Sequence, residues 1–316
     1  MARRSLRLSL KDVFLHSAVG ILFSLLLWFS GLLNGIEADT FDLRVNLHAR
    51  PSPATSSIIF VRVDQESLDH IAQVTGEAWP WPREFYAAVI SNCKRRGALA
   101  IGFDVTYTES SRAGVKDDWY LGEAIRKADN FALGSVFPTK ESHALHTEWP
   151  TDIPRPSFNF TADGILRTAI PSYPRATFPI AEIVSDSAVL SNVQHQPDPD
   201  GIYRRLHPFV MFDGEPLPSL GIAMYLAAHK DAKTIVTDDA IYVGGRKIPV
   251  DDDGMAMLNF RGPSSTYPYL HASSLIFQEM SIEQGLISPD DLARDMEDKY
   301  VVFGFTARAL YDLSLI

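Results

Sequence analysis

Two aspartates stand at positions where a carboxylate does chemistry in an α/β protein. Asp64 closes the apolar run IIFVRV and Asp104 closes ALAIGF, and in an open parallel sheet functional groups gather at the carboxyl ends of strands. As neighbours, the pair would suit magnesium-assisted phosphoryl transfer, with Asp104 as nucleophile and Asp64 as the second carboxylate. A different chemistry is suggested by EAWPWPREFYAAVI, in which Pro80 and Pro82 stiffen Trp79 and Trp81 and Arg83 opens a helical pattern. A rigid aromatic rim beside an arginine and acids suits a small-molecule pocket. The plainer alternative is that the tryptophans cap a core and Arg83 neutralises Asp64 or Asp104.

Other chemistries find no residues to carry them. The nine histidines show no HExxH or comparable metal-ligand spacing, no Gly-rich loop follows a strand as a nucleotide cradle, and no GxSxG elbow supplies a serine nucleophile. DPDG (Asp198–Gly201) and DDDG (Asp251–Gly254) lack the continuation of a calcium loop and read as turns. His229 ends a helical pattern, where it suits the helix dipole. No catalytic residue, cofactor or metal is therefore assigned.

The elements that must position Asp64, the corner and Asp104 are legible as alternating strands and helices, a mainly parallel layered α/β sheet with helices on both faces. SIIFVRVD is a strand. Pro82-Arg83-Glu84 starts a helix through about Arg96, with Phe85, Val89 and Cys93 on one face and Gly97 as its stop. ALAIGFDV, almost continuously apolar, reads as a strand covered on both faces. A helix from Asp117 to Asp129 uses Trp119, Leu121, Ala124 and Ile125 as apolar positions, and FALGSVF is the next strand. Prolines from Thr139 to Pro218 predict long loops and short elements. Beyond them come IYRRLHPFVMF, a turn at Asp213-Gly214, a helix over about Ser219–Lys230, a β-hairpin across Gly244-Gly245, a helix start at Ser288-Pro289-Asp290-Asp291 and the strand YVVFGFTA.

The 316 residues have an ordinary globular balance, 46% hydrophobic and 22% charged. The net charge is -10, although the first twelve residues hold Arg3, Arg4, Arg7 and Lys11 against Asp12 alone. So acidic a body argues against nucleic acid as a partner. Cys93 is the only cysteine, so no intrachain disulfide forms. From Val13 to Ile36 there is no charged residue, and about 24 residues of helix span about 36 Å, enough to cross a bilayer. The basic tail is expected to stay in the cytoplasm, with Trp28 near the far interface. A cleaved signal peptide is disfavoured, because Ile36-Glu37-Ala38 offers a bulky residue where a small one is needed. The organisation expected is a basic tail (1–12), a transmembrane anchor (13–36) in the inner, or cell, membrane and an extracytoplasmic domain (37–316).

In order along that domain, FDLRVNL, IIFVRVDQESL, WPWPR, ALAIGFDVTYTE, DDWYLGEAI, DPDGIYRRLHPF, LPSLGIAMYL, MLNFRGP and KYVVFGFTARALYD resemble the second class of CHASE domains. These are extracytoplasmic sensory modules of bacterial transmembrane receptors. WPWPR is the most diagnostic string. The resemblance implies a receptor that continues into further transmembrane helices and an output domain, most often a class III nucleotide cyclase. A histidine kinase, diguanylate cyclase or serine/threonine kinase is the alternative. It also implies a homodimer and an unknown small-molecule or envelope signal as ligand. The lack of a nucleotide loop, a nucleophile with its base and a metal cage in the sequence predicts no turnover by residues 1–316 themselves. The closing strand KYVVFGFTARALYD is slightly altered from the family's apolar strand followed by Gly and small residues, so the resemblance assigns no role to Thr306. A looser resemblance, of IGFDVTYT to the nucleophile strand of haloacid-dehalogenase-type phosphohydrolases, lacks that family's second acid because Thr106 stands in its place.

Overall fold

The computed structural model describes residues 10–141, 144–162, 169–307 and 310. It separates into two compact units, Met1–Pro51 with Phe260–Pro263, and the remainder.

In the first unit, α1 (Leu10–Phe29) is apolar on all sides, with Phe14, Leu22 and Trp28 exposed. Its stretch Lys11–Phe29 is long and apolar enough to cross a membrane. The uninterrupted span expected through Ile36 is not found. Gly31 takes a left-handed conformation (φ 69°) and caps a second helix, α2 (Leu32–His48). Composition hid this break, because LLNGI stays apolar on its far side while belonging to a helix that carries Glu37, Asp39, Asp42 and Arg44.

The second unit is mixed α/β. Its largest sheet has the order β15 (Tyr269–His271), β1 (Ile58–Val63), β16 (Tyr300–Phe305), β2 (Ala100–Phe103), β3 (Phe131–Thr139). These neighbours are all parallel. β7 (Val189–Asn192) joins β3 in parallel, and β6 (Arg175–Thr177) pairs antiparallel with its far end. All four β2 residues are buried. Ile101 and Phe103 share a core with Phe85, Val89 and Cys93 of α4 (Arg83–Arg95) and Leu121 and Ile125 of α5 (Val115–Ala128). Ala100 and Ala132 pack instead with Ala223 and Met224 of α6 (Leu220–Ala228). Gly102 makes room for that close approach, since a Cβ there would lie 2.4 Å from the Met224 sulfur and the methionine side chain would have to shift.

Smaller sheets gather the middle of the chain. β9 (Phe209–Phe212) and β10 (Glu215–Pro218) form an antiparallel hairpin through Asp213 (φ 50°) and Gly214 (φ 78°), with β5 (Ser172–Tyr173) alongside. β12 (Ala240–Val243) and β13 (Arg246–Pro249) turn through Gly244 (φ 57°) and Gly245 (φ 77°). Two consecutive positive φ values are what a two-residue hairpin turn demands. β11 (Lys233–Val236) pairs with β12 on one side and β4 (Asn159–Ala162) on the other, while β8 (Arg205–Leu206) pairs with β14 (Ala256–Met257).

Three expectations need correction. α3 (Gln65–Thr75) and α7 (Ala272–Glu283) are helices that the sequence reading did not assign, so the tryptophan corner follows α3 rather than β1. Trp119 points outward and is 54% exposed. Ser288–Asp291 makes the capping box but only a single 3-10 turn, because the chain is already extended at Leu292.

Candidate functional site

The corner begins where Gly76, left-handed at φ 78°, ends α3. It runs through a cis Trp79–Pro80 bond to Pro82, which precedes α4. A proline cannot cap a helix with its side chain, so the first amides of α4 need an acceptor from elsewhere. Asp117 of α5 supplies it: the backbone N–H groups of Arg83 and Glu84 donate to its two oxygens at 2.7 and 2.9 Å.

Arg83 is fixed on three sides. Its Nε donates to Asp118 at 3.0 Å, a terminal nitrogen donates to the Glu109 carbonyl at 2.7 Å, and the guanidinium lies 4.3 Å over the Tyr107 ring. Asp118 is 1% exposed and also accepts the Ser111 N–H at 2.9 Å. The Ser111 hydroxyl donates to Asp117. Thus the loop after β2 is tied to the starts of both α4 and α5 by two adjacent carboxylates. Tyr107 is fully buried, its hydroxyl has no hydrogen-bond partner among the described residues, and burial, with Tyr86 beside it, holds its phenol well above the usual range.

The two tryptophans divide their roles. Trp81 is buried and packs edge-on against Phe85, with Tyr86 beyond, as part of the core. Trp79 is half-buried, 5.0 Å from Phe305 at the end of β16. Trp79, Pro80, Arg83, Thr106, Thr108 and Phe305 are among the walls of an open cavity of about 550 Å³. Its aromatic side and hydroxyl-bearing side suit a small amphipathic molecule.

The structure therefore brings Trp79, Trp81 and Arg83 together but leaves both predicted aspartates outside the cavity. β16 lies between β1 and β2, which sets Asp64 and Asp104 two strand spacings apart, about 10 Å. They are not neighbours, and neither is the partner of Arg83, which is Asp118. The phosphotransfer reading took the two carboxylates as neighbours, and the strands that deliver them are not adjacent. Asp104 is exposed, and its N–H donates to the Phe303 carbonyl. Among the described residues no three His, Cys, Asp or Glu side chains are grouped as ligands.

Asp64 has a local task. It caps α3, accepting the Ser67 N–H at 2.9 Å, and it bonds His271 Nδ1 at 2.7 Å. Burial pushes its carboxyl up, but the Ser67 bonds and the imidazole outweigh this and hold it below its ordinary value. A lowered folded-state pKa stabilises the fold above the unfolded value, and the contribution is lost as pH falls through the folded value. Asp64→Asn should therefore flatten the acid side of the stability profile, measured by urea unfolding between about pH 2 and 5. An unchanged acid slope would show that Asp64 titrates alike in both states.

DPDG and DDDG are turns, closed by Gly201 and Gly254 N–H groups donating to Asp198 and Asp251 carbonyls. Arg205 bridges Asp198 and Asp251, and buried Arg204 pairs with Asp198 and Asp200. The residues that sequence reasoning missed are Tyr107, Ser111, Asp117 and Asp118. The available signal was the adjacent acids at the start of a predicted helix, together with an arginine in need of a counter-charge.

No curated protein and no solved structure matches the chain. The family model described as CHASE2 domain matches residues 18–316, which takes in the corner, its cavity and every strand of the sheet. The chain thus belongs to the CHASE2 family, extracytoplasmic sensory domains of signalling receptors.

Proposed function

We propose that this chain is the input end of a receptor anchored in the inner, or cell, membrane by α1, and that a small molecule or envelope signal is read at the tryptophan corner. The carrying observation is the cavity itself. It is walled by the end of the central strand at Phe305, by the start of α4 at Arg83 and by the loop after β2. An occupant there touches three elements that must move together if the domain has two packings. Such a ligand acts only through its differential affinity for the two states. The output that best fits the reading is a class III nucleotide cyclase in a homodimeric receptor; the residues described here supply recognition, not turnover.

The orientation is tested by thiol labelling. Ser110 is exposed on the loop after β2. Ser110→Cys in a Cys93→Ser background should react with a membrane-impermeant maleimide in intact spheroplasts. Reaction only after lysis would overturn the extracytoplasmic placement. In the unaltered protein Cys93 should remain unlabelled until denaturation, because it is buried and burial pushes its thiol up to about 12.

A further inference from the structure

The helix that follows the anchor has an unpartnered face with a specific period. On α2, Leu33, Ile36, Thr40, Leu43 and Leu47 recur at alternating intervals of three and four, the a and d spacing of a two-stranded coiled coil. Their exposure is unusual for such residues: 38% at Leu33, 58% at Ile36 and 57% at both Leu43 and Leu47. A different face of the helix, with Ala38, Phe41 and Val45, is already half-buried within the protomer. With Leu33 at a, Asp39 falls at g and Arg44 at e of the next heptad. In a parallel pair, g of one strand faces the following e of the other, so Asp39 meets Arg44 of the second copy with opposite charge. Among the described residues neither has an ion-pair partner inside the protomer.

We infer that α2 is a dimerisation helix whose occupant is a second copy of this chain, packed parallel and in register along Leu33, Ile36, Thr40, Leu43 and Leu47. The inference rests on the reading of α1 as a membrane anchor, which sets both copies of α2 in the same direction. Two heptads are a short interface, but anchoring in one membrane raises the effective concentration enough for a short coil to pair. Thr40 at an a position weakens the seam, which suits a contact that must shift during signalling.

The test uses the full chain in native membrane vesicles, in a Cys93→Ser background, with copper–phenanthroline as oxidant. Ile36→Cys, Leu43→Cys and Leu47→Cys should each cross-link to dimer roughly fivefold faster than His48→Cys, which lies off the seam. Asp39→Arg should slow the Leu43→Cys cross-link, and adding Arg44→Asp should restore it. Equal rates at all four positions, or a Leu47→Cys rate no faster than that of His48→Cys, as an antiparallel pair with its ends apart requires, would overturn the inference. So would absence of cross-links with quenching of probes at Ile36 and Leu43 by brominated lipid, which would place the face on the bilayer. The Ser110→Cys labelling reports the anchor's orientation independently, so failure of that reading is distinguishable from failure of the coil.

Discussion

Asp118→Ala should lower the unfolding free energy by about 3–5 kcal/mol, the range for removing one member of a buried ion pair. The mutation leaves the largely buried Arg83 guanidinium without its counter-charge and the Ser111 N–H without its acceptor. Urea unfolding of the purified protein measures it. Because Arg83 and Asp118 act on one another directly, the double variant Arg83→Ala/Asp118→Ala should cost less than the sum of the two single variants. A coupling above about 1 kcal/mol is expected for groups in one network. Additivity would refute the pairing. Asp117→Asn keeps an acceptor for only one of the two α4 amides and sets an NH2 donor against the other, so it should cost about 1–2 kcal/mol, the upper part of the range for cap substitutions.

Trp81→Ala should cost about 3–5 kcal/mol and reduce accumulation of the protein, since a fully packed aromatic leaves a cavity among Phe85, Tyr86 and Trp79. Trp79→Ala should cost less than half as much, because the ring is only half-buried. Its larger effect is expected on signalling: a receptor carrying this variant should accumulate and keep basal output while losing its response to the stimulus. Loss of stability alike at both positions, with response preserved in whatever folds, would make the corner a core cap and nothing more.

The strands nearest the site were legible because their physics is local. β1, β2, β3 and β16 are short apolar runs bounded by polar residues, and α4 shows Phe85, Val89 and Cys93 at helical spacing. Their order was not legible, because pairing of β1 with β16 joins residues far apart in sequence, and no local pattern reports it. That single fact separated Asp64 from Asp104. α5 shows another limit. Its buried face runs through Asp118, Leu121, Ile125 and Ala128, so a charged residue occupies the top of the apolar stripe. A count of apolar residues alone therefore turned Trp119 inward. α3 carries Leu68 and Ile71 on one face behind the capping Asp64, a helical signal that was present in the sequence and was passed over because the run follows β1 without a break.

The central place of β16 also bears on biogenesis. A chain threaded through a translocation channel emerges from its amino end, and β15–β1 and β2–β3–β7 can each pair as they appear. Among the described residues no strand of one half-sheet pairs with a strand of the other, so they become one sheet only when Tyr300–Phe305 slots between them. Until then two parallel edges stand open, the kind of surface that attracts chaperones or aggregates. β16 is thus the keystone of assembly. Defects in Val301 or Phe303, both fully buried, should send the whole domain to proteolysis rather than yield a partly working sensor.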